Sequence, residues 1–266
     1  MTIETQIETI PTTEDPPRSP RDILPTMDDL PSEDPEEPGL PDEFHFYQPD
    51  LLRRTCRSPR YSPESTFVGV DINFYYDVRH HLRYKRPDWF LVVGVPRLWE
   101  ETRLRNSYVM WQEGVAPLVV VELLSPGTGK EDLGETENPA EDADRAIPSK
   151  WEVYEQILRV PYCLVYDRRT QRLRFSQLEG ARYRERSLNP QPPLIWIPEL
   201  ELGLDLRSEE YEGIPGLWLR WCDDRGNPIP TDTEAERQRA EAERQRADRL
   251  AARLRELGVD LEEDSG

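Results

Sequence analysis

Two acidic residues that border apolar runs, and one lysine at a predicted helix start, are the residues of this sequence best suited to chemistry. Asp88 precedes the apolar run 89–93, and Glu122 follows the apolar run 118–121. A buried carboxylate is costly unless it is paired or binds a cation. With Lys150, these carboxylates predict a divalent-metal site that hydrolyses phosphodiester bonds.

The expected cofactor is Mg²⁺, or Mn²⁺ in its place, because hard cations bind carboxylate oxygens and keep several waters. Asp88 and Glu122 are therefore the predicted metal ligands as well as catalytic residues. Such an ion polarises a phosphoryl oxygen and lowers the pKa of a bound water. Lys150 is predicted to orient or deprotonate the attacking water and to balance charge on the phosphate.

Each of these residues also has a purely structural interpretation. Glu122 could be a strand-end glutamate tied to an arginine, and Asp88 could cap the turn that follows Pro87. Lys150 could be a solvated residue in the first turn of a helix. The two acids together are more specific than either alone, since adjacent strands can direct both carboxylates to one point.

Two further residues are weaker candidates for the same site. Asp71 falls within the first predicted strand and could add a third carboxylate. His45 lies just before the first predicted helix and could line the groove, although a single histidine is more often a surface or capping residue. The sequence has no Gly-rich phosphate loop, G-x-S-x-G or H-E-x-x-H motif.

Six strands and two helices are predicted to position these residues. Period and composition predict strands at 67–78, 88–95, 117–124, 162–167, 172–178 and 183–187, and helices at 49–57 and from 150 to 158 or 159. Ser149 and Glu152 have the spacing of a capping box at the start of the second helix. The continuous apolar runs are typical of strands covered on both faces.

The acidity of the chain is concentrated at its ends. The sequence has 266 residues and a formal net charge of −19, with 13 acidic and two basic residues in the first 44. We predict a disordered, acidic, Pro-rich tail over 1–43, a folded domain over 44–222, and a linker with a charged helix over 223–266. Net negative charge disfavours nucleic acid as a partner, but the centre is nearly neutral and could carry a local basic groove.

Three cysteines without close spacing predict neither a disulfide framework nor a zinc site. The sequence shows no apolar run long enough to cross a membrane and no secretory signal, so the cytoplasm is the expected location.

The C-terminal region has a seven-residue period. Residues 235–241 nearly repeat as 242–248, and leucines enter the heptad seam only late. The pattern fits either a coiled coil, with a partner helix through residues 233–261 or a homodimer, or a solvated charged helix.

The order of motifs resembles the Uma-two (Uma2) restriction endonuclease family of the PD-(D/E)XK nuclease superfamily. The motifs are Pro87-Asp88 before an apolar strand, then VELLSPGT (121–128), KWEVY (150–154) and VPYCLVYD (160–167). The resemblance spans roughly residues 45–205, with one long insertion before Lys150.

The resemblance implies a restriction-endonuclease-like α/β core with a mixed central sheet flanked by helices, and DNA as the substrate. It implies Asp88 and Glu122 as metal ligands and Ser125 as the residue that shapes the turn beside them. The superfamily lysine two residues after the glutamate is replaced by Leu124, and the resemblance implies that its role passes to Lys150 in the following helix. Asp132 or Asp144 would match a further aspartate of the family.

Two alternatives to a DNA endonuclease stay open from sequence. One is a catalytically inactive nuclease-fold protein that acts as a scaffold through its C-terminal helix, which the net charge and Leu124 favour. The other is a component of RNA-directed machinery, for which the sequence offers no aromatic–basic motif.

Overall fold

The computed structural model describes residues 40–80, 82–125 and 147–256. Most of the predicted acidic tail, most of the acidic loop that contains Asp132 and Asp144, and the end of the heptad segment lie outside the described residues. The division into a tail, a domain over 44–222 and a C-terminal segment stays a prediction.

A mixed sheet of six strands carries the candidate site. Its strands are β1 (Thr66–Val70), β4 (Trp89–Val93), β6 (Val119–Leu123), β7 (Tyr162–Asp167), β8 (Arg172–Glu179) and β9 (Arg182–Arg186). They lie in that order across the sheet, and only β6 and β7 run parallel. The predicted mixed central sheet is confirmed.

Both faces of the two central apolar strands are covered. In β4, Trp89 and Leu91 pack into one core cluster while Phe90 and Val92 pack into the other. This alternation explains why the run is continuously apolar, since a strand buried on both faces has no solvated side. A carboxylate at the end of such a strand is therefore shielded from water.

Two smaller sheets flank the central one. They are built from β2 (Phe74–Tyr75), β3 (Tyr84–Lys85) and β5 (Tyr108–Val109), and from β10 (Ile195–Ile197), β11 (Leu202–Tyr211) and β12 (Ile214–Cys222). The long β11–β12 hairpin was not predicted, because its charged and Pro-bearing stretches hide the alternation. Trp218 and Trp221 of β12 are nevertheless buried in the core.

Four α-helices are described: α1 (Phe44–Thr55), α2 (Met110–Glu113), α3 (Lys150–Glu152) and α4 (Asp232–Glu256). Residues Pro63–Ser65 form one 3₁₀ turn, and Val153–Ile157 continue α3 as a π turn. None of the helices in the described ranges is both long and apolar enough to span a bilayer.

Helix α1 begins earlier than the predicted 49–57, so Pro49 lies inside it rather than in its first turn. Proline cannot donate to the carbonyl four residues before it, which costs one helical hydrogen bond. The side chains of Phe44, His45 and Gln48 extend the buried face of the helix towards its start.

The predicted strand over 67–78 is wrong in its length. It is divided at Asp71, whose φ of 47° is in the left-handed region and cannot continue a strand. The chain turns there, leaves the central sheet and forms β2 in a separate small sheet. This break brings Asp71 to the end of β1 rather than its middle.

Gln48 joins α1 to β12 through a fully buried pair of hydrogen bonds. Its Nε2 donates to the carbonyl of Leu219 at 2.7 Å, and its Oε1 accepts from the amide of Leu219 at 2.9 Å. We expect Gln48→Met to lower the free energy of unfolding by about 2–4 kcal/mol, since it leaves two buried backbone groups unsatisfied. Urea denaturation measures this loss, and an unchanged midpoint would contradict it.

Candidate active site

Strand register brings Asp88 and Glu122 together. Trp89 pairs with Val121 across the antiparallel β4–β6 ladder, so continuing that register by one residue sets Asp88 opposite Glu122. Directly opposite residues direct their side chains to the same face of a sheet. The Leu123 amide donates to Asp88 Oδ2 at 2.6 Å, and the Asp88 amide lies 3.5 Å from Glu122 Oε2.

Glu122 is buried and bonded on both carboxylate oxygens. Only 1 % of the surface of Glu122 is exposed. Lys150 Nζ donates to Oε2 at 3.0 Å, and the Tyr154 hydroxyl donates to Oε1 at 2.6 Å. The cationic partner of Glu122 is the predicted lysine, Lys150, rather than the arginine of the structural interpretation.

A capping box fixes the position of Lys150. Ser149 Oγ accepts from the Glu152 amide at 3.2 Å, and Glu152 Oε2 accepts from the Ser149 amide at 2.8 Å. The predicted capping box is thus confirmed, and it sets the first turn of α3 against the end of β6. Leu124, at the position of the superfamily lysine, uses its amide to bond the carbonyl of Tyr166 at 2.9 Å.

Tyr154 is a site residue that the sequence interpretation missed. It lies one helical turn after Lys150. The π turn, closed by a bond of 2.8 Å from the Leu158 amide to the Val153 carbonyl, sets its backbone. The i, i+4 spacing from the lysine was the available signal, because residues at that spacing share a helix face.

The protonation of Glu122 follows from this environment. Burial raises its pKa to about 7, against the charge of Lys150, and the neighbouring charge of Asp88 adds to the rise. The hydrogen bond from Tyr154 favours the ionised form. Glu122 therefore titrates near neutral pH, whereas an ordinary glutamate is ionised well below it.

The stability of the metal-free protein should depend on this titration. Between the ordinary pKa of 4.5 and about 7, the folded protein keeps a proton that the unfolded chain has released. Stability contributed by this group is therefore complete below pH 4.5 and falls as pH rises to 7, with a slope of up to about 1.4 kcal/mol per pH unit. Denaturation in a chelator, compared with Glu122→Gln, should show a flatter dependence in the variant; parallel curves would contradict the assignment.

Asp71 and His45 lie at the same edge of the sheet. The Asp71 amide donates to the carbonyl of Asp88 at 3.3 Å, and its carboxylate pairs with Arg86 at 3.1 Å. Burial raises the pKa of Asp71, against the charges of Arg86, Lys150 and His45.

His45 Nε2 lies 3.1 Å from the carbonyl of Leu123, the residue next to Glu122. Ser125 is buried two residues beyond the end of β6. All six residues singled out from the sequence therefore fall on elements that end or begin at this edge.

The donor set fits a magnesium-type ion. Mg²⁺ binds through one or two carboxylates and keeps several waters, and the two facing carboxylates offer oxygen ligands alone. The effect of the Asp88 charge on the Glu122 pKa is the mark of two like charges close together, which a divalent cation relieves. Among residues 40–80, 82–125 and 147–256, no set of three or more His, Cys, Asp or Glu side chains is placed to hold a metal ion. The candidate ligand set is therefore the pair Asp88 and Glu122.

A protein family and a solved structure are similar to this chain. The model of the family Uma2, described as "Putative restriction endonuclease", matches residues 34–209. A crystal structure described as a putative nuclease belonging to DUF820 from Anabaena variabilis ATCC 29413 is similar over 57 % of this chain and 74 % of its own. Its sequence identity is 11 % and its TM-score is 0.36. No curated protein gave a significant match.

Proposed function

Because this chain belongs to the Uma2 family of restriction-endonuclease-like proteins, we propose that it is a divalent-metal-dependent endonuclease that hydrolyses DNA phosphodiester bonds. Asp88 and Glu122 would hold Mg²⁺ or Mn²⁺, and Lys150 would complete the catalytic group. The observation that carries the proposal is the contact of buried Glu122 with Lys150, beside a facing Asp88 on the next strand.

The bound ion would supply charge for a phosphoryl oxygen and a water of lowered pKa. The chain itself contributes the positions of the reacting groups. Lys150 is fixed 3.0 Å from a carboxylate oxygen, so its ammonium can face both the phosphate and the attacking water. Tyr154 holds the second oxygen of Glu122, which keeps that carboxylate directed at the pair.

The remaining predicted residues would act around this group. Asp71, paired with Arg86, would hold the end of β1 beside Asp88. His45 would fix the carbonyl next to Glu122, and Ser125 would shape the turn that follows. None of the three is proposed as a metal ligand.

A cleavage assay tests the function. Purified protein, stripped of metal with a chelator, is incubated with supercoiled plasmid DNA and with single-stranded circular DNA at a series of Mg²⁺ and Mn²⁺ concentrations. We expect cleavage only with added metal. A protein that cuts neither substrate at any metal concentration, while its Glu122→Gln variant behaves identically, would count against the proposal.

Self-association through α4 is a second candidate, and it accommodates the scaffold interpretation. None of the described residues of α4 is buried, and Ala240, Ala247, Leu250 and Leu254 follow the heptad seam. The base of the helix is held by buried Arg220, which bonds Glu234 and Glu209. A helix fixed at its base and exposed along its length suits pairing with a second copy of the chain.

Light scattering on the eluting protein tests this association. A dimer should have twice the 31.2 kDa mass of the chain, and Leu250→Lys with Leu254→Lys should convert it to a monomer. Ala252→Lys, on the outer side of the same heptads, is the matched control and should leave the dimer intact. A monomeric wild-type protein would exclude the dimer.

A further inference from the structure

A short hairpin starts after Asp71 and ends before Asp88, one of the two facing carboxylates. The chain leaves the central sheet at Asp71, forms β2 and β3, and returns at Asp88. The backbone bond between Asp71 and Asp88 closes its stem, and Arg86 Nε also donates to the carbonyl of Asp71 at 3.1 Å. The stem of this hairpin, residues 74–85 with residue 81 outside the described ranges, therefore begins and ends beside Asp88.

The hairpin is basic in a strongly acidic chain. The hairpin over 74–85 contains three Arg and Lys residues against one acidic residue, Asp77, whereas the whole chain has a net charge of −19. The side chain of Arg79 is 87 % exposed, and its carboxylate neighbour Asp77 is 4.0 Å away. Positive charge beside a phosphodiester-cleaving site matches the charge of a nucleic acid backbone.

Aromatic rings are exposed on the same small sheet. Tyr75 and Tyr84 are direct cross-strand partners with ring centroids 5.5 Å apart, and the Trp111 ring lies 6.4 Å from that of Tyr75. Tyr84 is 46 % and Trp111 40 % exposed, and Leu82 near the tip is 88 % exposed.

A cross-strand aromatic pair stabilises a small sheet, which alone would explain Tyr75 against Tyr84. That explanation does not extend to the exposed Leu82 or to Arg79, whose side chain is exposed as well. Exposed aromatic faces among cations are the combination that binds single-stranded nucleic acid, because bases stack on the rings and phosphates contact the cations. Duplex DNA keeps its bases stacked and offers the rings no free base face.

We propose that this hairpin, together with Trp111, binds single-stranded nucleotides of the substrate. Bases stack on Tyr84 and Trp111, and Arg79 contacts phosphate. The inference rests on the proposed function for its identification of the ligand as substrate, and it narrows that substrate to DNA with unpaired nucleotides next to the scissile bond.

Fluorescence anisotropy in a chelator, which prevents cleavage, tests the binding. The probes are a labelled single-stranded DNA 20-mer and the same sequence as a duplex. We expect the wild-type protein to bind the single strand at least about fivefold more tightly than the duplex, because loss of base stacking on one ring is worth about 5- to 100-fold in affinity. Tyr84→Ala and Trp111→Ala should weaken single-strand binding by that range, and Tyr84→Phe should retain it.

Charge and folding controls keep the test decisive. Arg79→Ala should weaken binding and reduce the dependence of log K on log salt by about one. Arg184→Ala, a largely exposed and ion-paired arginine on β9, is the matched control and should bind like the wild type. Leu82→Asp and Arg79→Ala change exposed side chains and should leave the fold intact. Both should weaken single-strand binding, so the proposal stays testable even if Tyr84→Ala does not fold.

The two proposals fail separately. Hairpin variants that bind and cut like the wild type, a wild-type preference for duplex, or no binding of either probe would overturn the hairpin proposal. If the hairpin variants lose binding but the wild-type protein cuts no DNA with Mg²⁺ or Mn²⁺, the nuclease function is overturned. The proposal that the hairpin binds single strands is then supported.

Discussion

Glu122→Gln should reduce metal-dependent DNA cleavage on the order of 10²–10³-fold, the loss typical of removing one preorganised electrostatic group. The amide keeps the shape of the side chain and can still meet Tyr154, but it offers no charge to a cation or to Lys150. Single-turnover rates at saturating metal measure the loss.

A matched control separates this effect from general damage. Glu185→Gln removes a carboxylate that also lies on the central sheet and is also paired with a base, Arg174, at 2.9 Å. That variant should cleave at the wild-type rate. Equal rates for Glu122→Gln and Glu185→Gln would exclude Glu122 from the catalytic group.

Lys150→Met should reduce the cleavage rate by a similar factor and leave metal binding largely intact. The methionine keeps the length of the stem but removes the ammonium that faces the phosphate and the water, worth about 10²–10³ in rate. Lys150→Arg distinguishes two roles, because arginine preserves the charge but cannot lose a proton near neutral pH. Partial activity in Lys150→Arg would indicate charge balance, and none would indicate proton transfer.

The same variants identify the alternative. If Lys150→Met loses the metal together with the activity, the lysine acts through the position of Glu122 rather than on the substrate. If Lys150→Met cleaves at the wild-type rate, the ion pair with Glu122 has only a structural role.

The elements nearest the carboxylates were predictable because local signals agree there. The apolar runs define β4 and β6, and antiparallel register then brings Asp88 opposite Glu122. The capping box of Ser149 and Glu152 predicts the first residue of α3 correctly, because its contacts lie within one turn of the helix. These are short-range patterns, and no tertiary contact overrides them.

Other features depend on contacts distant in sequence. The left-handed backbone of Asp71 separates β1 from β2, although the β-rich composition runs on through the break. The bond from the Tyr154 hydroxyl to Glu122 joins residues 32 apart in sequence, and Tyr154 lies in a π turn for which the sequence offers no periodic signal. The early start of α1 follows from Gln48 meeting Leu219, a partner 171 residues away.

Calorimetric titration of the metal-free protein with Mn²⁺ tests the central claim that Asp88 and Glu122 form one cation site. We predict one Mn²⁺ per chain for the wild type, with affinity at least about tenfold weaker in Asp88→Asn and Glu122→Gln and unchanged in Glu185→Gln. A wild-type protein that binds no Mn²⁺, or that binds it equally well without either carboxylate, would contradict the account.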